Sequence, residues 1–310
     1  MKIVVGTRAS RLSLVQTESV VQELKKIFPN LEVETKTIKT VGDRLTKKPL
    51  YLFREKGIFE RAVDEAVVRK EVDFAVHSMK DVPTIPPPKT AIVAVPKRGS
   101  PSDILVSLEN MRLKDMPSQS LVGTSSPRRE AQLRHVRPDL EVKPIRGNVD
   151  TRVRKLRRGE YDAIILAEIG LQRLKMQEFT SERLSLEEFT PAPGQGALAV
   201  VAREDDEKII EVLKHVNHQP SMAEALAERA FIRKIGGGCK VPIGAIARAR
   251  GGYLSLHVSA FSPDGKTKLK VPQTGRVELP EELGVKAAQE MLKLGAQRLI
   301  QNWRGFYEDW

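Results

Sequence analysis

Lys97-Arg98-Gly99-Ser100-Pro101 interrupts a regular alternation of strand-like and helix-like sequence. A glycine and a proline so close together end any regular element, so the segment is expected to be a hinge. Before it, Ile3 to Gly6 reads as a buried strand, and Ser10 can cap a helix whose apolar positions Leu14, Val21, Leu24 and Phe28 share a face. Leu31 to Thr40 alternates like a strand, Ile58 to Lys70 reads as a helix, and Asp73 to Ser78 is a short apolar strand. A proline-rich loop, Val82 to Pro88, leads to a further strand, Ala91 to Val95. Beyond the hinge the pattern resumes, with strands at Ile104 to Ser107, Leu121 to Gly123, Val142 to Ile145 and Ala163 to Ala167, and helices after Ser126 and Asn148. Strands alternating with helices imply parallel-type α/β sheets. Pro191-Ala192-Pro193-Gly194-Gln195-Gly196 is a second break, followed by the apolar run Ala197 to Ala202. Two breaks flanking a middle unit imply that the chain leaves its first domain and later returns to it.

From about Ser221 the pattern changes. A helix, Met222 to Ile235, ends on three glycines, and strands at Ala245 to Arg250, Tyr253 to Phe261 and Lys266 to Val271 are joined by Gly251-Gly252 and Pro263-Asp264-Gly265 turns. One amphipathic helix, Val285 to Trp303, is expected to close the chain. The expected fold is therefore two α/β domains and a smaller C-terminal antiparallel α+β domain. The boundaries fall at residues 1–96 with 197–216, 101–190, and 217–310.

A chain of 310 residues exceeds the roughly 100 to 200 residues of a usual domain, which agrees with this division. Its 52 Lys and Arg outweigh 40 Asp and Glu, a net charge of +12 that calls for an anionic partner. Between Leu121 and Arg158 eleven residues are basic and four acidic, many of them at strand and helix ends. That distribution suits a pocket for a small polyanion. No aromatic-rich basic motif or zinc spacing supports nucleic acid. The N-terminal run has no apolar signal core, and no stretch approaches the roughly 18 apolar residues of a membrane span, so a cytoplasmic protein without membrane contact is expected. The single cysteine, Cys239, excludes an internal disulfide, and no Cys/His cluster offers metal-ligand spacing.

Four strand-to-helix junctions carry polar or cationic residues. In open α/β sheets ligands bind beyond the C-terminal ends of strands, so Lys80-Asp81 after the third strand makes Asp81 the candidate catalytic carboxylate. By itself the pair also fits an ordinary surface loop. Gly123-Thr124-Ser125-Ser126-Pro127-Arg128-Arg129 places a cap and two arginines at a helix start, where positive charge opposes the helix dipole unless an anion completes the site. Arg128 and Arg129 are thus expected to clamp substrate acids. Arg146 and Arg152 flank the next junction, and Arg8 and Ser10 the first. Gly236-Gly237-Gly238-Cys239-Lys240 sets the thiol on a glycine-rich turn, where a covalent group could approach closely. A lone cysteine also fits simple core packing.

Taken in order, Gly6-Thr7-Arg8, Val76 to Pro83, Gly123 to Ser126, Arg146-Gly147-Asn148, Pro193 to Ala197 and Gly237 to Gly244 resemble the porphobilinogen deaminase (hydroxymethylbilane synthase) family across essentially the whole chain. The resemblance implies two periplasmic-binding-protein-like domains hinged about a cleft and a third carrying the cofactor cysteine. It implies a transferase of heme and tetrapyrrole biosynthesis. A dipyrromethane bound through a thioether to Cys239 is extended by four porphobilinogen units with loss of ammonia, and hydrolysis then frees hydroxymethylbilane. Asp81 becomes the catalytic residue, and Arg8, Ser10, Lys80, Ser126, Arg128, Arg129, Arg146, Arg152 and Arg173 become ligands of cofactor or substrate acids. Lys56 matches a lysine of an active-site loop, although Leu52-Phe53-Arg54-Glu55 just before it departs from the usual family sequence. A monomer without a metal is expected. A non-catalytic anion-binding or effector protein is the alternative, and a modified Cys239 would distinguish the two.

Overall fold

The computed structural model describes residues 2–39, 60–236 and 241–308. The first sheet takes β1 (Lys2–Arg8), β2 (Glu32–Ile38), β3 (Phe74–Ser78) and β4 (Thr90–Ala94), with α1 (Arg11–Ile27) and α2 (Arg61–Val68) against it. The second takes β5 (Asp103–Ser107), β6 (Leu121–Gly123), β7 (Glu141–Lys143), β8 (Ala163–Ala167) and β9 (Glu182–Arg183). Its helices are α3 (Pro127–Val136), α4 (Val149–Arg157) and α5 (Glu168–Leu174). The chain then returns as β10 (Leu198–Arg203), which pairs with both β3 and β4, and continues through α6 (Glu207–Leu213).

The strand orders are β2-β1-β3-β10-β4 and β7-β6-β8-β5-β9. They follow one plan. In the first sheet β1 runs parallel to β2 and β3, while β10 is antiparallel to its neighbours. In the second, β6 is parallel to β7 and β8, and β5 is antiparallel to β8 and β9. The expectation of parallel-type sheets is therefore corrected. The antiparallel strand in each sheet is the one that follows a crossing of the chain between the sheets, where no crossover helix reverses its direction. The two crossovers lie side by side, with Gly99 N–H donating to Gly196 O at 3.2 Å. Gly196 has φ +91°, and a Cβ there would sit 2.6 Å from Gly99 O, so only glycine allows this approach.

The C-terminal unit packs α7 (Gln219–Ile235) and α8 (Pro280–Lys293) on an antiparallel sheet of β11 (Ile243–Arg250), β12 (Tyr253–Phe261) and β13 (Lys268–Arg276). Its core joins Phe231, Ala245, Leu256, Val258, Ala287 and Met291. Two expectations change here. β13 runs past Pro272, which an edge strand tolerates because one side of it needs no N–H. The closing helix is two helices: Leu294 ends α8, Gly295 at φ +92° turns the chain, and α9 (Ala296–Glu308) begins. The break lets α9 pack independently, so that buried Trp303 donates to Phe261 O at 2.9 Å and meets Ala131 of α3.

Candidate active site

The junctions singled out in the sequence follow the C-terminal ends of β1, β3, β6 and β7, and their charged residues act on one another. β3 ends in a 3₁₀ turn, Met79–Asp81. Met79 packs into the core, Lys80 is half-buried and Asp81 is exposed. Behind the turn, Gln16 donates to the Ser78 hydroxyl at 2.8 Å, and His77 pairs with Asp64 at 2.8 Å in a wholly buried contact. His77 is thus a support beneath the site, with both ring and carboxylate closed off from solvent.

Arg8 ends β1. Ser10 caps α1, accepting the Ser13 N–H at 3.2 Å. Ser126 holds the capping position of α3 without a side-chain cap bond. Arg128 and Arg129, on the first turn of α3, depart from the expected arrangement. Both are buried and turn back to Asp103 at the start of β5. Arg128 Nη1 lies 2.8 Å from Asp103 Oδ2 and donates to Thr190 O at 2.8 Å. Arg129 donates to Asp103 Oδ1 from Nε at 3.0 Å and Nη2 at 2.7 Å, and from Nη1 to Ile165 O at 3.1 Å. Gln195 adds a bond to the same oxygen at 2.9 Å. Burial would raise the Asp103 pKa, but the guanidiniums outweigh it and hold the carboxyl well below its usual range. The charge pair read as a clamp for an external anion is therefore already balanced in part by an internal one.

Arg146, Arg152 and Arg173 stand differently. Arg152 Nε donates to Gly147 O at 2.8 Å and Arg173 Nη2 to Gly196 O at 3.2 Å. None of the three forms an ion pair with a carboxylate among the described residues. Desolvation lowers all three, Arg152 and Arg173 each to about 10, and repulsion from Arg129 and Arg146 adds to the effect at Arg152. The Lys80 ammonium is likewise held below its ordinary range, first by burial and then by Arg129 and Arg128, with Asp81 and Asp103 opposing. These mutual effects place Lys80, Asp81, Arg128, Arg129, Arg146 and Arg152 in one electrostatic neighbourhood. Cys239 and Lys56 lie outside the described residues.

Sequence reasoning overlooked two acids. Asp103 immediately precedes the strand expected at Ile104 to Ser107, and nothing local marks it as a partner of arginines. Glu60, just before α2, is 3% exposed, and its pKa is pushed up to about 9, chiefly by burial and then by Asp81, with Arg8 opposing. A glutamate before a helix ordinarily serves the helix dipole, so its spacing carried no signal of burial beside Asp81.

Residues 3–211 match the porphobilinogen deaminase, dipyromethane cofactor binding domain, and residues 222–293 match the C-terminal domain of the same enzyme. The chain belongs to the porphobilinogen deaminase family. A probable porphobilinogen deaminase of Nitrosopumilus maritimus is 46% identical over 310 residues, covering 100% of this chain and 99% of that protein. The porphobilinogen deaminase of Thermus thermophilus is 44% identical over 303 residues, covering 97% and 99%. The methionine binding protein MetQ aligns loosely, with a TM-score of 0.43, 12% identity, and coverage of 69% of this chain and 89% of that one. As a porphobilinogen deaminase family member the chain is a transferase of tetrapyrrole biosynthesis that uses a dipyrromethane cofactor. No described helix is long and apolar enough to cross a membrane.

Proposed function

We propose that porphobilinogen units condense at the exposed Asp81 carboxylate, with the dipyrromethane held through Cys239 and its acidic side chains held by the arginines of the facing sheet. The observation that carries this reading is the set of desolvated guanidiniums, Arg146, Arg152 and Arg173, that have no carboxylate partner among the described residues. An acetate and a propionate on every pyrrole are the anions such a set requires, and bidentate carboxylate binding is what the guanidinium fork favours. Arg8, Lys80, Ser10 and Ser126 complete the polar lining, and Arg128 and Arg129 add positive potential beyond what Asp103 neutralises. Lys56 would approach the same substrates from its loop.

The dipyrromethane supplies the pyrrole carbon to which the first unit is joined. The protein's own contribution falls to Asp81. Loss of ammonia from porphobilinogen leaves a cationic methylene-pyrrole, and a carboxylate about 4 Å away at an effective dielectric near 20 stabilises such a cation by roughly 4 kcal/mol. Expressed mainly in the transition state, that is on the order of a thousandfold in rate. Asp81 can also accept a pyrrole N–H and carry protons, and Lys80 stands beside it. Arg8 and Arg146 would assist proton transfer at the same centre.

The three domains are proposed at residues 1–96 with 197–216, 101–190, and 217–310, in a cytoplasmic monomer. Asp81→Ala is expected to keep the fold and lower porphobilinogen consumption about a thousandfold. The measurement is turnover by purified holoprotein whose intact mass shows the two-ring adduct. Near-normal turnover would remove Asp81 from the centre of the reaction, and active protein with an unmodified Cys239 would remove the cofactor attachment.

A further inference from the structure

Backbone hydrogen bonds hold the turn that carries Asp81 at its two ends. Met79 N–H reaches Ala197 O at 3.1 Å, Val82 N–H reaches Met79 O at 3.2 Å, and Pro83 has no N–H to offer. Yet the carbonyls just beyond Asp81 are gripped from another domain. Arg229, on α7, donates from Nη1 to Val82 O at 3.2 Å and from Nη2 to Pro83 O at 2.6 Å and Thr84 O at 3.4 Å, with Met79 Sδ 4.0 Å from Nη1. No carboxylate among the described residues pairs with it. Burial, with some repulsion from Arg233, lowers its pKa to about 10. A half-buried cation spent wholly on loop carbonyls is not what helix solubility requires, since an arginine there could reach water.

The residue before it acts on the other side of the turn. Glu228 is fully buried and accepts from Gly194 N–H at 2.5 Å, from Ala247 N–H at 2.7 Å, and from Arg98 Nη1 at 2.6 Å and Nη2 at 3.1 Å. Gly194, at φ +77°, lies directly against the turn, where a Cβ would be 2.6 Å from Met79 Cγ and 3.1 Å from Lys80 N. Neighbouring residues of α7 therefore secure the Asp81 turn from behind, through Gly194, and from downstream, through three carbonyls. The same helix ends at Ile235, shortly before Cys239.

We propose that Arg229 is a positioning residue, holding the Asp81 turn in register with the end of α7 from which the cofactor-bearing segment departs. This rests on the catalytic role proposed for Asp81. Its fixed planar fork meets adjacent carbonyls in a set geometry, which the rotatable donors of a compact ammonium do not impose.

In Arg229→Met the stem remains and the fork is lost. With holo content confirmed by intact mass and folding by Tm, kcat should fall on the order of 100-fold, the effect of a displacement near 1 Å. KM for porphobilinogen should stay within about twofold, because no substrate-binding group is removed. Arg229→Lys, which restores a cationic donor group without the planar fork, should recover part of kcat. Wild-type kcat in folded Arg229→Met holoprotein overturns the proposal, as does a loss confined to KM or a Lys variant no better than Met. If Arg229→Met does not fold, Arg229→Lys decides: reduced kcat at unchanged KM supports the role, and wild-type kcat rejects it. Asp81→Ala measured alongside separates the two readings. An inactive Asp81→Ala with fully active Arg229→Met rejects only the positioning role, whereas an active Asp81→Ala rejects the catalytic one.

Discussion

Arg129 and Arg152 occupy the first turns of successive helices over the same sheet, and both are drawn away from water. Arg129 lies 2.7 Å from the fully buried Asp103 carboxylate, while Arg152 donates to the carbonyl of Gly147 and meets no carboxylate among the described residues. The contrast separates two uses of one residue type. Around Asp103, charge is balanced within the protein and ties the start of β5 to α3. Around Arg152, no carboxylate among the described residues supplies that balance. A strand-to-helix junction thus supplies the position of an arginine, and the nearest carboxylate determines its role.

Removing the internal anion tests this most severely. Asp103→Asn leaves two buried guanidiniums without their charge partner and should cost roughly 3–5 kcal/mol of stability, measured by urea unfolding. A loss well under about 1 kcal/mol would mean that Arg128 and Arg129 are no more balanced than Arg152. On the open side, Arg152→Met should leave the apoprotein as stable or more so, since it removes a desolvated cation. The same change should lower porphobilinogen turnover about 10- to 100-fold, the value of one charge-assisted bond, and narrow the Tm gap between holo and apo forms. An unchanged gap would show that the cofactor's acids bind elsewhere.

The buried acids near Asp81 and the arginines divide in the same way. Asp103 is held charged by arginines, and Glu60 is held protonated by burial beside Asp81. Glu60 has its pKa raised from 4.5 to about 9 on folding, so the stability linked to it is complete below pH 4.5 and is lost as pH rises toward about 9. Glu60→Gln removes that dependence. Relative to the wild type, its Tm should be higher at pH 9 than at pH 5 by at least about 2 °C, the shift expected of roughly 1 kcal/mol. Parallel Tm curves across this range would place Glu60 in contact with water.

Local chemistry was readable where it was sufficient. Ser10 caps α1 because a serine before an amphipathic run has a free N–H to accept, and Gly251-Gly252 forms the hairpin turn because both positions have positive φ. The two breaks in the strand–helix alternation marked the crossovers correctly. What escaped was long-range. Asp103 meets Arg129 only once β5 has entered the second sheet, and Glu60 feels Asp81 and Arg8 only once β3 and β1 lie side by side. The break at Gly295 was missed because apolar residues continue on both sides of it, hiding the change of helix direction. Arg229 lies on a well-read helix, but its partners are carbonyls 145 to 147 residues earlier, and backbone oxygens leave no trace in sequence.

The exchange of strands between the two sheets also governs the order in which the protein can be made. β10 pairs with both β3 and β4, so the first sheet lacks an inner strand until the entire second unit has left the ribosome. During synthesis, the edges of β3 and β4 must wait without their neighbour while β5 to β9 assemble. Pairings this distant in sequence slow folding and leave strand edges open to other chains. A ribosome stalled before Leu198 would therefore present a second sheet able to complete itself and a first that cannot.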